Sequence, residues 1–347
     1  MAEFLRRKNI EFSVQRYLID GLGAMALGLF GTLIIGVILE TIGARIGIPF
    51  LVETGELAKS MMGPGIGVAV ALGLKAPPLV LFASTVAGFA GAAGGPVGAW
   101  VASVVAVELG KVVSGETSLD IIVTPSVVVI FGLAAAQFVG PPIATFMVGL
   151  GEFIMWATEL HPLPMGIIVA VVMGWALTAP ISSAALAIAL QLSGVAGGAA
   201  LAGCAAHMVG FAVASFPDNG IGGLVSQGLG TSMLQIPNII RRPLIGVPVT
   251  IASAVGGPLA TLAFIMDTTP WGAGMGTSGL VGQFGTVSAM GWSTGVFVSV
   301  ALLHFLIPAA LAGLVAHYMR RVGWIKSGDM SLRGEDDSEA DCCDQRG

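Results

Sequence analysis

Ten side chains in two stretches of this sequence carry hydrogen-bonding groups where their neighbours do not. Asp218, Asn219, Gln227, Thr231, Ser232, Gln235 and Asn238 lie in SFPDNGIGGLVSQGLGTSMLQIPNII (215–240). Thr277, Ser278 and Gln283 lie in WGAGMGTSGLVGQFGT (271–286). Both stretches sit between long apolar runs, and hydrocarbon offers such groups no partners except protein, bound water or ligand. Amides and hydroxyls are the groups that replace water around a polar solute, so the chemistry they point to is binding. A nucleophile paired with a base, or a metal-ligand cluster, is not found, and neither a catalytic residue nor a cofactor is expected.

If 224–238 is helical, Gln227, Thr231, Gln235 and Asn238 fall at i, i+4, i+8 and i+11, with Val225, Leu229, Met233 and Ile236 on the opposite side. The two G-x-G-T-S repeats (228–232 and 274–278) are not phosphate loops, because no lysine follows and no strand precedes. Their glycines either pack helices closely or expose backbone groups to a solute. Asp218 and Asn219 before Gly220 also fit an ordinary cap and turn. His207, eleven residues before Asp218, is a candidate proton-handling group, set against the commoner case of a buried histidine bonded to a carbonyl. Glu108 and Lys111, at i and i+3, form either a structural ion pair or a coupling site.

The elements that must hold these residues are membrane helices. The chain is 55% hydrophobic and 10% charged, with 51 glycines in 347 residues, whereas soluble domains carry about 25% charged residues. The apolar runs are long and lack the alternation of a membrane β-barrel. The expected fold is therefore an all-α integral membrane protein of roughly ten transmembrane or re-entrant segments, several broken at glycine. Residues 1–16, basic and partly apolar, read as a cytoplasmic interfacial segment, 17–320 as the polytopic domain, and 321–347 as a disordered acidic cytoplasmic tail. Spans are expected near 17–39, three between 61 and 113, then 121–139, 143–156, 165–177, 181–190, 195–216, 244–266 and 295–318. GPPIAT (140–145) and GGPLAT (256–261), with the two G-x-G-T-S repeats, raise an internal duplication. Nucleic-acid binding has no support in the charge distribution, and Cys204, Cys342 and Cys343 fit neither a disulfide framework nor a zinc site.

The segment ASFPDNGIGGLVSQGLGTSMLQIPNIIRRP, with GMGTSGLVGQ, GGPVGAW and VELGKVVSGETSLDIIVTP, resembles the phosphotransferase-system IIC-like (EIIC) membrane proteins, a family in which PfoR-like members carry a regulator label. The resemblance covers most of 15–320. It implies a homodimeric permease subunit of the bacterial plasma membrane, both termini inside, moving a sugar-like solute that separate IIA and IIB proteins phosphorylate. In the family pattern a glutamate often precedes Asn-Gly; Asp218 keeps the charge with a shorter reach. Two other readings stand beside this one. One is a secondary transporter coupled to protons or sodium through Asp218, His207 or Glu108. The other is a membrane-bound sensor that binds the solute without moving it.

Overall fold

The computed structural model describes residues 2–13 and 15–332, and every regular element among them is helical. The acidic residues 335–344, with Cys342 and Cys343, lie outside the described residues. A short α1 (Ala2–Arg7) precedes α2 (Gln15–Ala44), and α3 (Pro49–Ser60) turns back along the end of α2, where Gly36 meets Gly55 and Glu40 pairs with Lys59. Next come α4 (Met62–Gly73), α5 (Pro78–Gly91) and α6 (Gly95–Val113), the three broken segments expected between 61 and 113.

α5 and α6 form a hairpin with its tip at 92–95. A Cβ on Gly91 would lie 2.8 Å from that of Ala102, and Gly132 touches Ala87 and Ala106 together. α5 has 14 residues, roughly 21 Å, and α6 has 19, roughly 28 Å, against a hydrocarbon core of about 30 Å, so the two arms differ in reach. Glycine is required where α4 crosses α5: a Cβ on Gly88 would stand 2.1 Å from the Gly63 carbonyl oxygen. Lipid competes with apolar side chains for contact, so helix association here depends on such close backbone packing.

The sequence predicts two spans between 121 and 156, but the structure has one helix, α7 (Asp120–Thr158), running through Pro125, Pro141 and Pro142. α8 (Pro162–Thr178), α9 (Ser183–Ala189) and α10 (Gly194–Ala214) follow. α10 is the most enclosed helix: His207, Cys204, Met208 and Phe211 are fully buried, and a Cβ on Gly203 would fall 1.9 Å from the Ala170 carbonyl oxygen of α8. The chain then passes through α11 (Phe216–Val225), α12 (Ile236–Arg241), α13 (Pro243–Ala263), α14 (Pro270–Ala273), α15 (Val281–Met290) and α16 (Thr294–Arg321).

Among the described residues six helical stretches are long and apolar enough to cross a membrane: α2, the α5–α6 pair, α7, α10, α13 and α16; α4 and α8 are shorter apolar helices. The chain is a multi-pass membrane protein. One core joins α2, α4, α5, α6 and α7 through Met25, Ile66, Val80 and Val107, and a second joins α8, α9 and α10 through Met173, Ala187 and Met208. Among the described residues five π-helical stretches occur, at Gln15–Gly21, Phe30–Ile34, Ser226–Gly230, Leu259–Ala263 and Ala301–Leu306; the second and the last lie inside helices.

Candidate solute site

Four breaks in the helices converge on one cavity of about 960 Å³. They are the α5–α6 tip, the turn between α8 and α9, and the two G-x-G-T-S stretches, with α2 and the middle of α7 closing the sides. The walls are mainly apolar. Hydroxyls enter from Ser182, Ser183, Thr231 and Ser278. Ser183 donates to the Gly274 carbonyl (2.7 Å), tying the α8–α9 turn to the second repeat. Thr231 accepts from the Met233 amide (3.2 Å), and Ser278 Oγ, 4% exposed as a residue, has no partner among the described residues.

The expected continuous helix over 224–238 does not form. A π turn over Ser226–Gly230 ends at Thr231, whose backbone is extended (φ −159°, ψ 143°), and a 3-10 turn over Ser232–Gln235 leads into α12. Gly228 and Gly230 precede the break, and Gly230, Thr231 and Met233 line the cavity. Val225 and Leu229 are substantially exposed while Met233 and Ile236 are buried, so the four do not share one face. Thr277 donates to the Gly228 carbonyl (2.5 Å), so the two repeats touch directly.

Asp218, Asn219, Gln227, Gln235 and Asn238 come together in one hydrogen-bonded network, away from the cavity wall. Gln227 donates to Ser215 Oγ (2.8 Å), Gln235 donates to Gln227 Oε1 (2.9 Å), and Asn238 donates to Gln235 Oε1 (2.9 Å). The outer members grip residues 326–332, which the sequence assigns to the tail. Asn219 donates to the Met330 carbonyl (2.8 Å) and accepts from the Leu332 amide (2.7 Å). Gln235 also donates to Met330 O (2.9 Å), and Asn238 donates to Ser331 O (2.8 Å). Asp218, its side chain 2% exposed, is paired with Arg320 (2.8 Å) and accepts from the Gly328 amide (3.1 Å). The segment 326–332 is thus a strap laid across the amide cluster.

His207 is buried against Trp175 and Phe211, and its Nδ1 lies 2.8 Å from Thr178 Oγ1, which is 2.8 Å from Ser232 Oγ. A hydroxyl relay therefore links the histidine to the first repeat. Gln283 Nε2 approaches His304 Nδ1 (3.4 Å). Glu108 stands apart: Lys111 donates to it (2.9 Å) and to the carbonyls of Asn9 and Leu74, which Arg16 also engages. Thirteen residues of α6 separate Glu108 from the tip at Gly95, roughly 20 Å along the axis.

Sequence reasoning missed Thr178, Ser182 and Ser183. Ser182 and Ser183 had a signal, the doubled serine after Pro180 between two apolar runs. Thr178 had none, since a lone threonine near a helix end usually bonds the carbonyl one turn back, as it does here with Gly174 (3.1 Å).

Compared with known proteins, residues 19–332 match the sequence profile of a family described as Phosphotransferase system, EIIC. Neither a curated protein nor a solved structure matches the chain.

Proposed function

The chain belongs to the phosphotransferase-system EIIC family, and from that premise we propose that this membrane permease binds a sugar or polyol in the cavity among the four helix breaks. The observation that carries the reading is the convergence itself. Unwound backbone at membrane depth is tolerated where it lines a cavity, and here it brings hydroxyls of Ser182, Thr231 and Ser278 to an otherwise apolar chamber. Those hydroxyls would hold the solute, with Ser232, Thr277 and Gln283 supporting the walls. Gln227 and Gln235 flank the lining residues Gly230, Thr231 and Met233, so the network of Asp218, Asn219, Gln227, Gln235 and Asn238 would form the next polar station toward the strap.

Positive charge at Arg241, Arg242, Arg320 and Arg321 supports a cytoplasmic strap side by the positive-inside rule. Phosphorylation would then be the task of separate IIA and IIB proteins on that face. Movement of the α5–α6 hairpin bundle against the α8–α10 bundle would expose the chamber to either side in turn. A bacterial plasma-membrane location and a homodimer follow from the family resemblance.

Thermal unfolding of the detergent-purified protein against sugars, polyols and organic acids tests the site, because a ligand bound only to the folded state raises its apparent stability. A saturable rise with a sugar or polyol is expected, weakened about threefold to tenfold in Ser278→Ala and Thr231→Val, the loss of one hydrogen bond each. Stabilisation by anions alone would move the site to Arg241 and Arg242. Sugar binding without flux in liposomes supplied with the phosphorylating proteins would replace transport by sensing.

A further inference from the structure

The side chains on the chamber wall restrict what can occupy it. Among the described residues that line it, none carries an ionisable, amide or imidazole group. Its volume of about 960 Å³ is near the upper end of the roughly 300–1,000 Å³ that enclose drug-sized ligands. Ser182, Thr231 and Ser278 are the lining hydroxyls with bonding capacity to spare. Ser278 Oγ has no partner among the described residues, while Ser182 and Thr231 each accept from an amide of their own turn, at 3.3 and 3.2 Å, which leaves the hydroxyl proton to donate. Ser183 is already committed to the Gly274 carbonyl.

The rest of the wall is apolar and soft. Met62, Met147, Met208, Met233 and Met275 all line it, so five of the fifteen methionines in the chain meet at one cavity. They come from five separate places: the start of α4, the middle of α7, α10, the 3-10 turn and the segment after α14. Unbranched thioether side chains repack around varied apolar shapes and are over-used on surfaces that accept more than one.

A bare sugar ring has more hydroxyls than these three can pair, and each one buried without a partner carries a cost. It would also leave the methionine surface against water, which finds no partners there. An ionised group would meet no counter-charge and would be costlier still. On the premise that the chamber is the solute site, we infer that its occupant is an uncharged amphiphile: a sugar or polyol head bonded by Ser182, Thr231 and Ser278, joined to an apolar aryl or alkyl group that lies against the methionines. The hydrogen bonds orient the head, and the buried apolar area supplies most of the affinity. Sugar acids and sugar phosphates are excluded by the same wall.

The test is calorimetric titration of the full chain in lipid nanodiscs, since glycoside detergents would themselves compete for the chamber. The probes are matched methyl and phenyl β-glycosides of glucose, galactose and mannose, with glucose phosphate beside them. Saturable binding is expected in which a phenyl glycoside exceeds its methyl partner by roughly tenfold or more, from the added apolar surface buried, with no binding of glucose phosphate. Met147→Thr and Met275→Thr should each cut the phenyl-to-methyl ratio by about threefold or more, whereas Ser278→Ala should weaken both members of a pair alike. Equal binding of the two glycosides, a phenyl preference undiminished in both methionine variants, or glucose phosphate bound as tightly as the neutral probes overturns this inference and leaves the solute site in place. Absence of saturable binding by every glycoside overturns the solute site itself, and this inference with it.

Discussion

Amides and an arginine surround Asp218 whereas threonines accompany Asp267, and the two groups end in opposite hydrogen-bonding states. Around Asp218 the carboxylate and the amides reach an arginine, one another or the backbone of the strap. Asp267 Oδ1, Thr268 Oγ1 and Thr269 Oγ1 in one segment, and Thr286 Oγ1 on α15, are sealed without partners among the described residues. In a low-dielectric interior a satisfied network rigidifies, whereas an unsatisfied one is costly unless something occupies it. The difference teaches that polar residues in a membrane chain are not equally satisfied: the first cluster closes the protein on itself, and the second leaves its oxygens unpaired among the described residues.

The comparison would break most visibly at the ion pair. Arg320→Met leaves the Asp218 carboxylate buried and unpaired, and a loss of about 3 kcal/mol in detergent unfolding is expected. A neutral result would mean that the strap is not held there. Asn219→Ala removes two bonds to the strap and should lower stability by about 1–3 kcal/mol while speeding tryptic cleavage after the exposed Lys326. Thr268→Val sharpens the contrast, because replacing a hydroxyl that has no partner among the described residues with an isosteric methyl should change stability by less than about 0.5 kcal/mol in detergent unfolding.

A surface ion pair gives the smallest effect. Lys8, by its hydrogen bond, and then Arg7 hold the exposed Glu116 carboxyl below the usual carboxylate range. A depressed carboxylate contributes stability above its unfolded pKa and loses it as pH falls through the folded one. The parent protein should therefore lose a slight stability increment on acidification that Glu116→Gln lacks, seen as converging melting curves at low pH.

Much of the architecture was legible because glycine and proline punctuate it. The breaks at KAPP and GAAGGP bound the α5–α6 hairpin as expected, and both G-x-G-T-S stretches line the cavity. Gly140-Pro141-Pro142 misled, because α7 runs through it. Each proline costs a helix about 3 kcal/mol, but unwinding in an apolar setting would strip more backbone groups of their bonds. The amide cluster was legible as a group, since Gln227, Gln235 and Asn238 do meet. Its partners were not: Asn219 finds the backbone of Met330 and Leu332 over a hundred residues away, and a backbone acceptor leaves no trace in residue type. Thr268 and Thr269 escaped notice because threonine beside proline reads as an ordinary helix start.

The π stretches at Phe30–Ile34 and Ala301–Leu306, continued by α-helix on both sides, give α2 and α16 an unusual freedom. Each holds one surplus residue, and since a residue turns an α-helix by about 100°, sliding that surplus along by a turn would rotate everything beyond it without unravelling the rod. Phe30–Ile34 and Ser226–Gly230 border the chamber, and Ala301–Leu306 carries His304. Rotation of this kind in α2 would re-aim Leu33, Ile34 and Val37, which line the chamber, without moving the helix axis.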